Sequence, residues 1–202
     1  MQGPYDSGYV AVPCFWGRRP SSLVRKLIEV VPRSNGLRAL DAGCGEGKNA
    51  VALASRGVSV TAVEISEAAI RNGRRAWPDV TIEWVSGDIT TLEWQEGSFD
   101  IVIAYGLLHC LSSDDAIRST VRRLQKSLSA TGYFVLCSFN DRHQELEAHP
   151  EFHPCLIGHN DYTSFFNGWD VLHSSDTDLR ECHPHNEIWH VHSMTRILAR
   201  KR

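Results

Sequence analysis

The chain has 202 residues, 42% of them hydrophobic and 22% charged, with a formal net charge of -3. That length and composition suit one globular domain with a real core and exclude a disordered, collagen-like or low-complexity polymer. The acidic balance argues against nucleic acid or an anionic membrane surface as a partner, and no apolar run approaches the roughly 18 residues of a membrane span.

Residues 1–20, rich in Gly, Pro and the aromatics Tyr5, Tyr9, Phe15 and Trp16, read as an irregular N-terminal arm. Ser21 or Ser22 can cap a helix whose apolar positions are Leu23, Leu27 and Val30-Val31. Arg38 to Leu40 reads as a buried strand ending at Asp41, and a glycine-rich turn follows it. A helix over Asn49 to Arg56 stops at Gly57, and Val58 to Val63 is a strand ending at Glu64. Ser66 caps a helix to about Trp77, and Val80 to Val85 leads as a third strand into Gly87-Asp88. Phe99 to Ala104 is apolar nearly throughout, as expected of a strand buried on both faces of a parallel sheet.

A helix over about Asp114 to Leu128 and a strand over Gly132 to Phe139 complete the alternation. Strands separated by helices argue for an open, doubly wound, mostly parallel sheet. After residue 140 the pattern changes. Residues 141–160 read as a loop or short-helix insertion, and Tyr162 to Phe166 as a short helix. Trp169 to His173 and Ile188 to Ala199 read as an antiparallel hairpin at the sheet edge.

The N-terminus lacks the basic-then-apolar order of a signal peptide, so a cytoplasmic location is the expectation. The six cysteines contain no C-x-x-C pair and are expected as free thiols. Histidine is distributed unevenly: one lies at position 109 and the other nine all follow residue 140.

The turn Asp41-Ala42-Gly43-Cys44-Gly45-Glu46-Gly47 occupies the place where open parallel sheets bind ligands, beyond the C-terminal end of a strand. A P-loop is excluded, since Ala42 and Asn49 stand where that motif needs Gly and Ser or Thr. A dinucleotide turn is disfavoured by the G-x-G-x-G spacing and by two flanking carboxylates, Asp41 and Glu46, which would repel a pyrophosphate. Carboxylates there suit an ammonium or sulfonium charge. Glu64 at the next strand end can accept from two ribose hydroxyls, and Asp88 from an adenine amine. An adenosine carrying a cationic amino-acid tail is S-adenosylmethionine.

At Asp41-x-Gly43-x-Gly45, Glu64, Gly87-Asp88-Ile89 and Phe99-Asp100-Ile101-Val102 the chain resembles the class I S-adenosylmethionine-dependent methyltransferases. The resemblance implies an α/β, Rossmann-like, doubly wound sheet of about seven strands with an antiparallel C-terminal hairpin. It implies a single domain over residues 1–202, with residues 1–20 as a lid and 141–187 as a substrate-side insertion. Asp41, Gly43, Cys44 and Gly45 would hold the methionine part, Glu64 and Ile65 the ribose, Asp88 and Ile89 the adenine. Tyr105 and Gly106 would line the sulfonium pocket. The stretches Asp41 to Asn49, Phe165-Phe166-Asn167-Gly168-Trp169 and Ile197 to Lys201 are similar to the tellurite-resistance type of small-molecule methyltransferase.

Methyl transfer is an in-line displacement that needs alignment and exclusion of water, and a base only where the acceptor carries a proton. His109, just after the fourth strand, is expected as a catalytic residue, either accepting that proton or hydrogen-bonding the acceptor. His190 and His192 share one strand face and join it as catalytic candidates. Tyr5, Trp16, His183, His185 and Arg196 are expected to contact the acceptor, a metabolite or a soft oxyanion such as tellurite. A carboxylate, amine or peptide terminus is the alternative acceptor, and a non-catalytic S-adenosylmethionine-binding module the alternative class. The His-rich run beside Cys182 could bind zinc or iron, but no standard ligand spacing supports it, so no metal is assigned. The oligomeric expectation is a monomer or homodimer.

Overall fold

The computed structural model describes residues 5–31, 35–183 and 187–202. The arm contains a six-residue helix, α1 (Asp6–Ala11), where the sequence suggested irregular chain. α2 (Ser22–Val30) buries Leu23, Val24 and Leu27, the one-faced stripe its periodicity predicts. There follow β1 (Arg38–Ala42), α3 (Lys48–Ala54), β2 (Ser59–Glu64), α4 (Glu67–Ala76), β3 (Glu83–Ser86) and β4 (Phe99–Tyr105). Ser66 caps α4 as expected, its side chain accepting from the Ala69 amide at 3.1 Å. A 3₁₀ turn at Leu108–Cys110 leads to α5 (Asp114–Ser127), capped by Ser113, and then to β5 (Leu128–Gln144). The chain closes with α6 (His159–Ser164), β6 (Asp170–Glu181) and β7 (His190–Arg200).

The seven strands form one sheet in the order β3-β2-β1-β4-β5-β7-β6. Pairing is parallel from β3 through β5, and β7 runs antiparallel to both β5 and β6. This is the expected α/β architecture with its antiparallel end. Alternation along each strand divides the core between two faces. Leu40, Ala42, Val102 and Phe134 pack under α5 and α6 on one side, while Ala39, Ile101 and Val135 pack against α2 and α3 on the other.

Two lengths differ from the sequence reading. β5 runs on to Gln144 and β6 to Glu181, so part of the expected insertion is strand. Both extensions carry polar residues such as Asp141-Arg142 and Asp176-Thr177-Asp178, which resemble loop in composition. They are stabilised as the edge of the sheet: the Arg142 guanidinium bridges Asp176 and Asp178, and the Asn140 amide donates to Asp176.

Candidate active site

The strand order reverses between β1 and β4, and a cavity of about 540 Å³ opens there, at the carboxyl ends of β1, β2 and β4. Gly43, Cys44, Gly45, Glu64, Ile65, Asp88, Ile89, Tyr105 and Gly106 all line it. Of the cofactor residues expected from the sequence, Asp41 alone does not.

The glycine turn is tied to β2. The amides of Gly43 and Cys44 both donate to the Val63 carbonyl at 2.9 Å, and the Gly45 amide donates to Glu64 Oε2 at 2.9 Å. With these amides engaged by β2, the turn is held in place as one wall of the cavity. Gly45 has φ +55°, and a Cβ there would lie 2.9 Å from the Tyr9 hydroxyl, so the close approach of the arm requires glycine. Glu64 Oε1 also accepts from the Ser66 amide at 2.9 Å. Burial pushes the Glu64 carboxyl above its ordinary value, while the Ser66, Gly45 and Ile65 amides pull it back. Asp88 Oδ1 accepts from the amide and hydroxyl of Thr90 at 2.8 and 2.7 Å.

Asp41 is 1% exposed, and its Oδ2 has no hydrogen-bond partner. Burial raises its pKa from 3.8 to about 7, partly offset by a hydrogen bond from the Ala50 amide. Glu46, read as a companion charge for a cationic ligand, lines the cavity. Its carboxylate also accepts from the Cys14 and Phe15 amides at 2.8 and 2.6 Å and so fastens the arm to the turn. Tyr5, Tyr9, Trp16, Gly17 and Ser21 then line the cavity from the arm side, and the buried Ser21 hydroxyl oxygen has no partner.

At the acceptor end the lining includes Tyr5, Trp16, His109, Cys110, Phe139, Leu179, Glu181 and Met194. The His109 ring lies between Ser138 and Tyr5, 3.2 Å from the Ser138 Oγ and 3.3 Å from the Tyr5 hydroxyl. Its Nδ1 accepts from the Phe139 amide at 3.2 Å, which leaves the ring proton on Nε2, facing Tyr5. Burial pushes its pKa down to about 3, with His192 adding to the effect. His109 thus presents an N–H to Tyr5 and no free basic nitrogen to the cavity, a geometry that suits the hydrogen-bonding role expected for it better than the proton-accepting one.

The other histidines lie elsewhere. His183, His190 and His192 do not line the cavity; they are buried in a separate cluster with His149. His190 and His192 are therefore not placed to touch an acceptor, contrary to the catalytic expectation, because the inward face of β7 packs them under Phe139 and His149. Arg196 also misses the cavity, donating to the carbonyl and hydroxyl of Thr177 on the edge strand. His185 lies outside the described residues. Sequence reasoning missed Tyr9, Ser21, Phe139, Leu179, Glu181 and Met194, none of which belongs to a motif; Glu181, its carboxyl raised by burial, is the one ionisable group among them at the acceptor end.

Lys48 lines the cavity, but its Nζ donates to the Trp16 carbonyl at 2.8 Å and burial lowers its pKa. None of the described helices is long and apolar enough to cross a membrane. The six cysteines are unpaired thiols.

Residues 39–132 match the family model described as a methyltransferase domain. A relative from Geobacillus sp. (strain WCH70), named only as a candidate methyltransferase, is 32% identical over 163 residues, 79% of this chain. The chain spans 59% of that relative's length. Among solved structures, TehB from Haemophilus influenzae superposes with a TM-score of 0.73 at 16% identity, covering 89% of this chain and 61% of TehB. A protein solved for the conversion of a disulfide bond into a thioacetal group during echinomycin biosynthesis also gives 0.73, at 22% identity, covering 98% and 91%. By its sheet order, its glycine turn and these matches, the chain contains a methyltransferase domain of the class I S-adenosylmethionine-dependent type.

Proposed function

We propose that the chain is an S-adenosylmethionine-dependent methyltransferase whose acceptor is a small molecule, uncharged in the site and methylated at sulfur or nitrogen. The cofactor would lie along the strand tips, its amino-acid part against the glycine turn, its ribose on Glu64 and its adenine amine on Asp88. When bound it supplies a methyl group already activated by positive sulfur. The protein's own work is then to align the acceptor and exclude water, which the arm and the walls formed by Trp16, Phe139 and Met194 support.

The observation that carries the acceptor class is the charge at that end of the cavity. Glu181 lines it together with Lys48, whose Nζ rests on the Trp16 carbonyl, and Arg196 donates to Thr177 outside the lining. The Glu181 carboxylate and the Lys48 ammonium offset one another there, so an anionic acceptor would bring a net charge into a buried site, which is costly at low dielectric. A neutral thiol or amine meets apolar walls and the Tyr5 hydroxyl, and the proton it must lose as the methyl arrives can pass to the Glu181 carboxylate at that end. That the second structural neighbour comes from sulfur chemistry supports the same direction.

The test is methyl transfer from labelled S-adenosylmethionine to a panel of thiols, amines, carboxylates and tellurite. Turnover of a thiol or amine is expected. Turnover confined to the carboxylates or to tellurite refutes the acceptor class, and failure to bind S-adenosylmethionine at millimolar concentration refutes the whole reading.

A further inference from the structure

His190 and His192 are 2% and 0% exposed, and the Nε2 atom of each is buried without a hydrogen-bond partner. The opposite nitrogens fix the tautomers. His190 Nδ1 lies 2.8 Å from the Ile188 carbonyl, which can only accept, so Nδ1 carries the proton. His192 Nδ1 lies 2.8 Å from Gln144 Oε1. The Gln144 amide nitrogen is held by the carbonyls of Asn140 and Ser193 at 2.8 and 2.9 Å, so its oxygen must face His192 and accept. Both Nε2 atoms therefore present lone pairs. Two buried acceptors with no donor are costly. An imidazole with its far N–H anchored on a carbonyl and its near nitrogen bare is the arrangement proteins use to hold a metal.

The surroundings complete the set. The ligand atoms of His149, His190 and His192 all lie within 4.8 Å of one another, as do those of His183, His190 and Glu181. His149 and His183 approach each other at 2.9 Å between their Nε2 atoms. A tetrahedral zinc ion with bonds of about 2.0–2.1 Å needs its ligands about 3.3 Å apart, so the rings must draw together around the ion, with His190 shared between the two groups. We propose that His149, His183, His190 and His192 bind one divalent transition-metal ion of the zinc class, with the Glu181 carboxylate, 4.0 Å from His190 Nε2, as its countercharge. Imidazole donors select zinc, copper or nickel over magnesium or calcium. The ion would tie the segment after β5 to the end of β6 and the start of β7. It would thereby fix the wall that carries Leu179, Glu181 and Met194 into the cavity. His183 also stacks on Phe15, with ring centroids 5.1 Å apart, so the same ion would brace the arm.

The metal site can be tested without knowing the acceptor. Tag-free protein, stripped with chelator, is titrated with Co2+ and followed by visible absorption. One equivalent should bind with the intense ligand-field bands of a tetrahedral site and without a thiolate charge-transfer band, and Zn2+ should displace it. His190→Gln should abolish the saturable bands, with retained S-adenosylmethionine binding reporting an intact fold. Gln144→Ala, which frees the His192 ring, should weaken cobalt binding about 10–100-fold. His153→Gln, at an exposed position, should leave binding unchanged. Absence of stoichiometric binding by the wild-type protein overturns the proposal without recourse to any variant. So does wild-type affinity in His190→Gln, or a thiolate band assigning the metal to cysteine.

Discussion

The Phe139 amide donates to Nδ1 of His109 across 3.2 Å, and this one bond removes the ring's basic nitrogen from the cavity. What remains is an N–H facing the Tyr5 hydroxyl at 3.3 Å. The phenol oxygen accepts that bond, and the Cys110 thiol is a further hydrogen-bond partner of the same side chain. Burial raises the Tyr5 pKa far above 10, so the hydroxyl is a donor at every working pH.

Replacing Tyr5 by Phe should lower kcat/KM about 2–12-fold, the equivalent of one neutral hydrogen bond of about 0.5–1.5 kcal/mol. The wild-type profile should show no acid limb near pH 6.5 that disappears in His109→Gln, because His109 is held neutral down to about pH 3. Steady-state rates between pH 5.5 and 8 decide this. A limb present in the wild type and absent in His109→Gln would restore His109 as a base.

Glu64 carries two burdens, the Gly45 and Ser66 amides now and the ribose when cofactor binds. Glu64→Ala should weaken S-adenosylmethionine by about 1.5–3 kcal/mol, the range for hydrogen bonds to a charged group. Calorimetric titration reads the change directly. An unchanged dissociation constant would show that the strand tip does not hold the ribose.

The nucleotide half of this site was legible in the sequence because it is local. Each strand tip ends a short apolar run, and Gly, Asp or Glu follows at once, which placed Glu64 and Asp88 at the cavity; Asp41, aligned in the same way, lies buried outside its lining. The acceptor half was not. Phe139, Glu181 and Met194 lie on strands whose polar extensions imitate loop, and their convergence follows from the β5-β7-β6 pairing. The histidine cluster shows the same limit. His149 and His190 are 41 positions apart in the chain, and only the antiparallel edge brings their rings to 5.1 Å. Glu46 shows what the sequence left out: it lines the cavity beside the glycine turn, and its carboxylate also holds the arm through the Cys14 and Phe15 amides.

Those bonds predict how the arm behaves. Glu46→Gln keeps one acceptor oxygen but loses the charge that strengthens both contacts to the Cys14 and Phe15 amides. The arm should loosen while the sheet stays folded. Limited proteolysis should then cut before residue 20 in the variant at protease levels that spare the wild type. Since Tyr5, Tyr9 and Trp16 line the cavity, turnover should fall together with arm protection. Full protection of the arm in Glu46→Gln would place its anchorage elsewhere.

Asp41 gives the protein a stability that depends on pH in an unusual sense. Its folded pKa of about 7 lies above the ordinary 3.8, so the folded chain holds a proton that the unfolded chain releases. That contribution is complete below the unfolded value and is lost as pH rises through 7. Between pH 6 and pH 8 the loss amounts to about 1.4 kcal/mol, or about 3–5 °C in Tm for a chain of this size. Asp41→Asn carries no such proton and should be flat over the interval apart from what the histidines contribute to both proteins. The difference between the two melting curves, taken every half pH unit on cofactor-free protein, isolates the Asp41 contribution. Parallel curves would mean that the carboxyl titrates in the fold as it does in water.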